Sequence, residues 1–241
     1  MNLRKIFTQV TIFCAMLVII GIVANGRNVK EIATKIIQDA EQQLIEGLME
    51  NDLTKVAQAV DCGASVDSSL EVEEGVTATP LIFAIANTQL PIAKYLITKE
   101  PNLEIKDTKN NWTPLLWAIF MAGLKKIAID FPLLLIAAGS EVNPFNTPTS
   151  PLILAIAANR DGSMQPLIDT IIANGAEVNF QGSSTPLISA IKIGNKATVE
   201  KLIEFGADVN LADKRGITPL QMAEQFGNQE IIGLLKQKGA Q

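Results

Sequence analysis

A threonine or serine followed by proline recurs at Thr79-Pro80, Thr113-Pro114, Ser150-Pro151, Thr185-Pro186 and Thr218-Pro219, in steps of 34, 37, 35 and 33 residues. The hydroxyl of the first residue suits a helix N-cap, and proline, lacking an N–H and held at helical φ, suits the first helical position. The stretch Thr185–Asn210 shows what each start opens: Leu187, Ala190 and Ile191 fall at helical spacing, Gly194-Asn195 breaks the pattern, and Val199, Leu202 and Ile203 resume it. Gly206 is placed to stop the second helix in the left-handed region, and Ala207-Asp208-Val209-Asn210 leads into an extended turn. Two helices this short cannot bury their apolar faces alone, so the fold predicted is a stack of such pairs.

Each start is followed by Leu and, five positions after the Thr or Ser, by Ala: Ala84, Ala118, Ala155, Ala190 and Ala223. The unit endings Gly63-Ala64-Ser65-Val66-Asp67, Gly175-Ala176-Glu177-Val178-Asn179 and Gly206–Asn210 repeat independently of the starts. Period, start and ending together resemble the ankyrin repeat family, whose unit of about 33 residues carries T-P-L-H-x-A and ends in G-A-D-V-N. The resemblance implies an all-α solenoid of about six helix-turn-helix repeats joined by extended turns, preceded by an N-terminal hydrophobic helix. Residues 27–241 then form the repeat domain, in units of approximately 40–74, 75–108, 109–145, 146–180, 181–213 and 214–241, the first and last being caps. The family histidine is replaced by Ile82, Leu116, Ile153, Ile188 and Gln221, so apolar burial must take over from its hydrogen bonds. Glu100-Pro101-Asn102 stands where Gly-Ala-Asp is expected, which predicts an altered helix stop in the second unit. Extra residues in the third and fourth units are placed in the inter-helix loops or at the ends of the first helices, because Pro132 and Pro166 sit near the starts of the second helices.

Before the first unit, Val29, Ile32, Ile36, Ile37, Ala40, Leu44, Ile45 and Leu48 predict one long helix, followed by a shorter one holding Val56, Ala57 and Val60. Residues 1–26 stand apart. Arg4 and Lys5 precede an apolar run from Ile12 to Ala24, the pattern of a secretory signal peptide or a signal-anchor. Residues 6–24 approach the roughly 20 needed to span a bilayer, so the chain is expected to be exported, periplasmic, and either soluble after leader cleavage or anchored in the inner membrane. Cys14 lies in this leader and Cys62 in the first unit, and the latter is read as a core or helix-end residue. From Asp67 to Thr79 the turn is longer than elsewhere and carries Glu71, Glu73 and Glu74, either a solvated loop or a contact for a basic partner.

The chain has no histidine and two cysteines, which excludes Ser-His-Asp and Cys-His catalysis, HExxH sites and the usual zinc sets. A net charge of −5 without Lys/Arg blocks argues against nucleic acid, where phosphate neutralisation supplies most of the affinity. No glycine-rich phosphate loop is present, and Asp208 and Asp213 sit where a carboxylate holds its own turn. The chain is therefore expected to be no enzyme, to need no cofactor or metal, and to act as a monomer. Asn111-Trp112-Thr113 matches a glycosylation acceptor, but Thr113 is already explained as a cap.

What remains is a surface. The resemblance implies a partner protein held by the turn tips and the concave face of the first helices, in the cell envelope. Mapped onto this sequence, the partner-binding candidates are Trp112, Phe120, Met121, Phe145, Phe180, Lys192 and Arg215. Aromatic residues and Met dominate interface energetics, although Phe120 and Met121 are also placed to pack against the enlarged loops. Trp112→Ala is expected to weaken partner binding with little change in thermal midpoint. Two roles stay open: an envelope scaffold, or an immunity protein that neutralises a toxic enzyme in the same compartment.

Overall fold

The structure, a computed structural model, describes residues 29–182 and 184–241, so the leader lies outside the described residues. Among the described residues are twelve helices and one two-stranded sheet. They divide into two compact units: one holds residues up to Leu70 with Thr79–Ala84 and Gln89–Pro101, the other Glu71–Ala78, Ile85–Thr88 and Asn102–Gln241.

In the first unit, α1 (Val29–Glu50) packs on α2 (Leu53–Asp61), and α2 on α4 (Leu90–Ile97). The buried positions of α1, Ala40, Leu44, Gly47 and Leu48, follow helical spacing. Gly47 is required there, since a Cβ would lie 2.9 Å from the backbone N of Val56. Asp52 caps α2 by accepting from the N–H groups of Thr54 and Lys55, and the Gln89 amide donates to the carbonyl of Leu48 at 2.7 Å. Cys62 is an exposed helix-end residue, one of the two expectations for it. The helix α3 (Pro80–Ala86) belongs to the first unit up to Ala84.

The acidic turn is a β-hairpin, β1 (Leu70–Glu73) and β2 (Val76–Ala78), which the all-helical expectation did not contain. Leu70-Glu71-Val72-Glu73 alternates inward and outward in strand fashion, and Gly75, at φ 71°, turns the chain. Thr77 is tied to Thr108: its N–H donates to the Thr108 hydroxyl at 2.8 Å, and its carbonyl accepts from the Thr108 N–H at 3.0 Å.

The second unit contains four helix pairs: α5 (Pro114–Gly123) with α6 (Asp130–Ala137), α7 (Pro151–Ala158) with α8 (Gln165–Ala173), α9 (Pro186–Ile193) with α10 (Lys196–Glu204), and α11 (Pro219–Phe226) with α12 (Gln229–Gln237). First helices stack in the order α5, α7, α9, α11, and second helices pair α6 with α8 and α10 with α12. Every start is capped as the sequence implies. Thr113, Ser150, Thr185 and Thr218 accept from the N–H three residues on, and Gln221 completes a capping box at Thr218. Each cap is worth about 1 kcal/mol. Ile82, Leu116, Ile153 and Ile188 are all buried, each contributing roughly 1.5–3 kcal/mol of apolar burial in place of the missing imidazole. Glu100 does take the left-handed stop that glycine fills elsewhere, at φ 54°. The extra residues lie in loops 124–129 and 159–164, between the paired helices.

The repeated terminal asparagine proves to be a forward clamp. Asn143 donates to the Gly175 carbonyl at 2.9 Å and accepts from the Glu177 N–H at 2.8 Å; Asn179 does the same with Gly206 and Asp208, and Asn210 with Gly239 and Gln241. Glu104 occupies this position in the second repeat and makes half of the clamp, accepting from the Glu141 N–H at 2.9 Å. Burial pushes its carboxyl up, against that hydrogen bond and with help from the nearby Glu141 charge.

Candidate functional site

The residues that distinguish one first helix from another lie on α5. Thr113 and Pro114 fix its start, Leu115, Leu116, Ala118, Ile119, Met121 and Ala122 are buried, and positions 117 and 120 are left to face outward. Those positions carry Trp117 and Phe120, with Trp112 on the preceding turn. The three rings meet edge to face, with centroids 5.4 Å apart for Trp112–Trp117, 5.3 Å for Trp112–Phe120 and 6.1 Å for Trp117–Phe120. All three are half-buried, and Leu124 extends the row past the helix end at 53% exposure.

A buried carboxylate fixes this cluster. Asp107, 4% exposed, accepts from the N–H groups of Asn110 and Trp112 and from the Trp117 indole at 2.8 Å. The turn and the helix face are thereby locked in one geometry, with the indole N–H satisfied and the ring faces left for contact. On the neighbouring α7, Leu154 is half-buried at the position equivalent to Trp117, and Ala157, equivalent to Phe120, is exposed. Large rings on one helix thus stand beside a small side chain on the next.

The sequence-based candidates divide. Trp112 and Phe120 lie in the cluster. Met121 does not belong to the face: at 8% exposure it packs in the interior, because it falls on the stacked side of α5. Trp112→Ala also acquires a structural cost the sequence did not suggest, since two ring contacts of about 0.5–1.5 kcal/mol each would go with it. Phe145 stands on a turn tip at 86% exposure, and Phe180 folds its ring over Gly182 of its own turn. Neither makes a ring contact with the cluster among the described residues. Lys192 is half-buried, its Nζ 3.5 Å from the Ser184 hydroxyl. Arg215 is committed to its own turn, its guanidinium donating twice to Asp213. Burial opposes ionisation of that aspartate, but Arg215 and the N–H groups of Ile217 and Arg215 outweigh it and hold the carboxyl below the usual range. Trp117 and Leu124 were missed from sequence; their places three before and four after Phe120, on one helix face, were the available signal.

Among the described residues no group of three or more Cys, Asp or Glu is arranged to hold a metal, and no helix is long and apolar enough to cross a membrane.

Comparison with known proteins gives one consistent result. The family model described as ankyrin repeats (3 copies) matches residues 44–146 and 152–241. An ankyrin repeat domain from Acinetobacter baumannii AYE superposes with a TM-score of 0.66 at 27% identity, covering 82% of this chain and 98% of that one. A chain from the complex of the Bd0816 predatory endopeptidase of Bdellovibrio bacteriovorus with immunity protein Bd3460 superposes with a TM-score of 0.62 at 27% identity, covering 81% of this chain and 97% of its own. A fowlpox virus ankyrin repeat protein is 28% identical over 64% of this chain, which spans 46% of that protein's length. With its caps, apolar inner positions and asparagine clamps accounted for, the chain belongs to the ankyrin repeat family and is a protein–protein interaction module.

Proposed function

We propose that the chain binds a partner protein through the first-helix face of its second unit and catalyses no reaction itself. The observation that carries this is the aromatic row Trp112, Trp117, Phe120 and Leu124, held in place by a buried Asp107 yet left half open to solvent. Such rigid aromatic anchors are what interface hot spots are made of, and nothing in the stacking of α5 requires rings at those positions. The turn tips, with Phe145 most exposed, supply the rim. The module acts as a monomer in the cell envelope, delivered there by the basic-start apolar leader of residues 1–26. The test is capture of the partner from envelope extract by the full chain and by a Trp117→Ala/Phe120→Ala variant of unchanged helical content. Equal capture by both would sink the reading, and an intact mass of the exported protein decides whether the leader is retained.

A second reading has its own support. One chain of an endopeptidase–immunity protein complex superposes over most of this chain, which favours an immunity protein that occupies a toxic enzyme in the same compartment over a general scaffold. Self-poisoning when the chain is deleted, relieved by deleting a neighbouring enzyme, is the expected outcome. Recovery of several unrelated envelope partners would favour the scaffold.

A further inference from the structure

Charges in the second unit are distributed unequally. On the second helices each lysine is neutralised: Lys196 lies 3.2 Å from Glu230, Lys236 lies 3.5 Å from Glu224, and Lys201 is paired with Asp169. At the C-terminal ends of three successive first helices the pattern reverses. Lys126 follows α5, Arg160 follows α7, and Lys192 lies in the last turn of α9; none has a carboxylate partner among the described residues. The carboxylate nearest in sequence to Arg160, Asp161, is already taken by Lys125 at 2.7 Å and by the Ser163 hydroxyl. Because α5, α7 and α9 stack side by side, Lys126 and Arg160 lie along one edge of the aromatic face, while the Lys192 ammonium reaches back along α9 to the Ser184 hydroxyl. The helix-end carbonyls favour cations there but do not neutralise them.

We propose that the partner presents to this face an acidic protein surface: an apolar side chain seated between the rings of α5 and the small Ala157 of α7, flanked by carboxylates that pair with Lys126, Arg160 and Lys192. The inference rests on the aromatic-face reading and adds the partner's charge. Lys126, Arg160 and Lys192, in a chain of net charge −5, are too few for a polyphosphate backbone, whereas they suit the rim of a protein interface, where complementary charge sets partner choice and association rate.

Both tryptophans of the chain lie in the cluster, so tryptophan fluorescence, excited apart from the single tyrosine, reports on this face alone. The full chain is titrated with four probes: a helical Leu/Glu peptide, its Leu/Lys counterpart, a Ser/Glu counterpart, and an oligothymidylate. The Leu/Glu peptide is expected to shift the emission and bind tightest, weakening with salt. Lys126→Glu/Arg160→Glu/Lys192→Glu is expected to weaken it on the order of tenfold and to leave the free emission and thermal midpoint unchanged; Arg160→Gln/Lys192→Gln is the milder version should the triple variant fold poorly. Tighter binding of the Leu/Lys peptide, or equal Leu/Glu binding by the reversed variant, overturns the acidic partner and leaves the aromatic face standing. Preference for the oligonucleotide overturns the protein partner, and no emission change with any probe overturns the inference, the face itself then resting on the capture experiment.

Discussion

The third and sixth repeats begin with the same grammar and finish as different surfaces. In both, Thr-Pro starts the first helix, a leucine and an alanine are buried by stacking, and a buried aspartate closes the preceding turn. Yet Asp107 grips the Trp117 indole, whereas Asp213 grips the guanidinium of Arg215. Where α5 carries Trp117 and Phe120, α11 carries buried Met222 and exposed Gln225. Positions that touch the next helix pair are constrained by packing, and those that face outward are free to carry function; the third repeat spends that freedom on rings, the sixth on water-facing polar groups suited to a terminal cap.

The largest test of this contrast is affinity. Phe120→Ala is expected to cost about 2 kcal/mol or more of partner binding, roughly thirtyfold, while Gln225→Ala at the equivalent position stays within about 0.5 kcal/mol; equal losses by calorimetry would erase the distinction. Next come the two aspartates. Asp107→Ala and Asp213→Ala each strand N–H donors and are expected to lower stability by about 1–3 kcal/mol in urea unfolding, but only the Asp107 variant should change tryptophan emission. Smaller again are the caps: Thr113→Ala is expected to cost about 1 kcal/mol, and Thr218→Ala less, since the Gln221 N–H it strands lies at an exposed position open to water.

The smallest effect is the acid dependence. The Lys125 and Ser163 hydrogen bonds hold the Asp161 carboxyl far below the usual range. For Asp169, burial works against ionisation and the bonds from Lys201 and Gln165 overcome it. With Asp213, these groups have folded-state values below their unfolded ones, so their stabilisation is full above the ordinary carboxylate range and is lost as pH falls through and below about 4. Glu104, shifted upward by burial, works in the opposite direction. A urea midpoint that declines on acidification, less steeply in Asp213→Asn, is expected; a flat profile would show that these aspartates contribute equally when protonated.

Much of the architecture was legible because Thr-Pro, the inner alanine and the left-handed stop are local signals with one physical meaning each. The apolar replacements of histidine were readable as burial, whereas the altered stop expected at Glu100 is not seen in the backbone, which keeps the left-handed conformation with a glutamate in it. The hairpin was obscured by its glutamates, which drew attention to charge where the alternation of Leu70 and Val72 with Glu71 and Glu73 carried the strand signal. At the face, composition pointed to the third repeat but could not separate Met121 from Phe120, adjacent residues whose fates depend on which side of α5 is stacked. Trp117 was overlooked because its partner Asp107 lies ten positions away and is joined to it only by folding of the turn.

The asparagine clamps overlap the tips like roof tiles, each fastened by the one before it, so the array has a direction: loosening of one tip exposes the next toward the C-terminus, never its predecessor. The tile fastened by Glu104 has a single nail where the others have two. Lys106 and Asn111 of the turn before it add bonds to the carbonyls of Phe145 and Asn146, so the tip carrying Phe145 stays pinned where its clamp is incomplete.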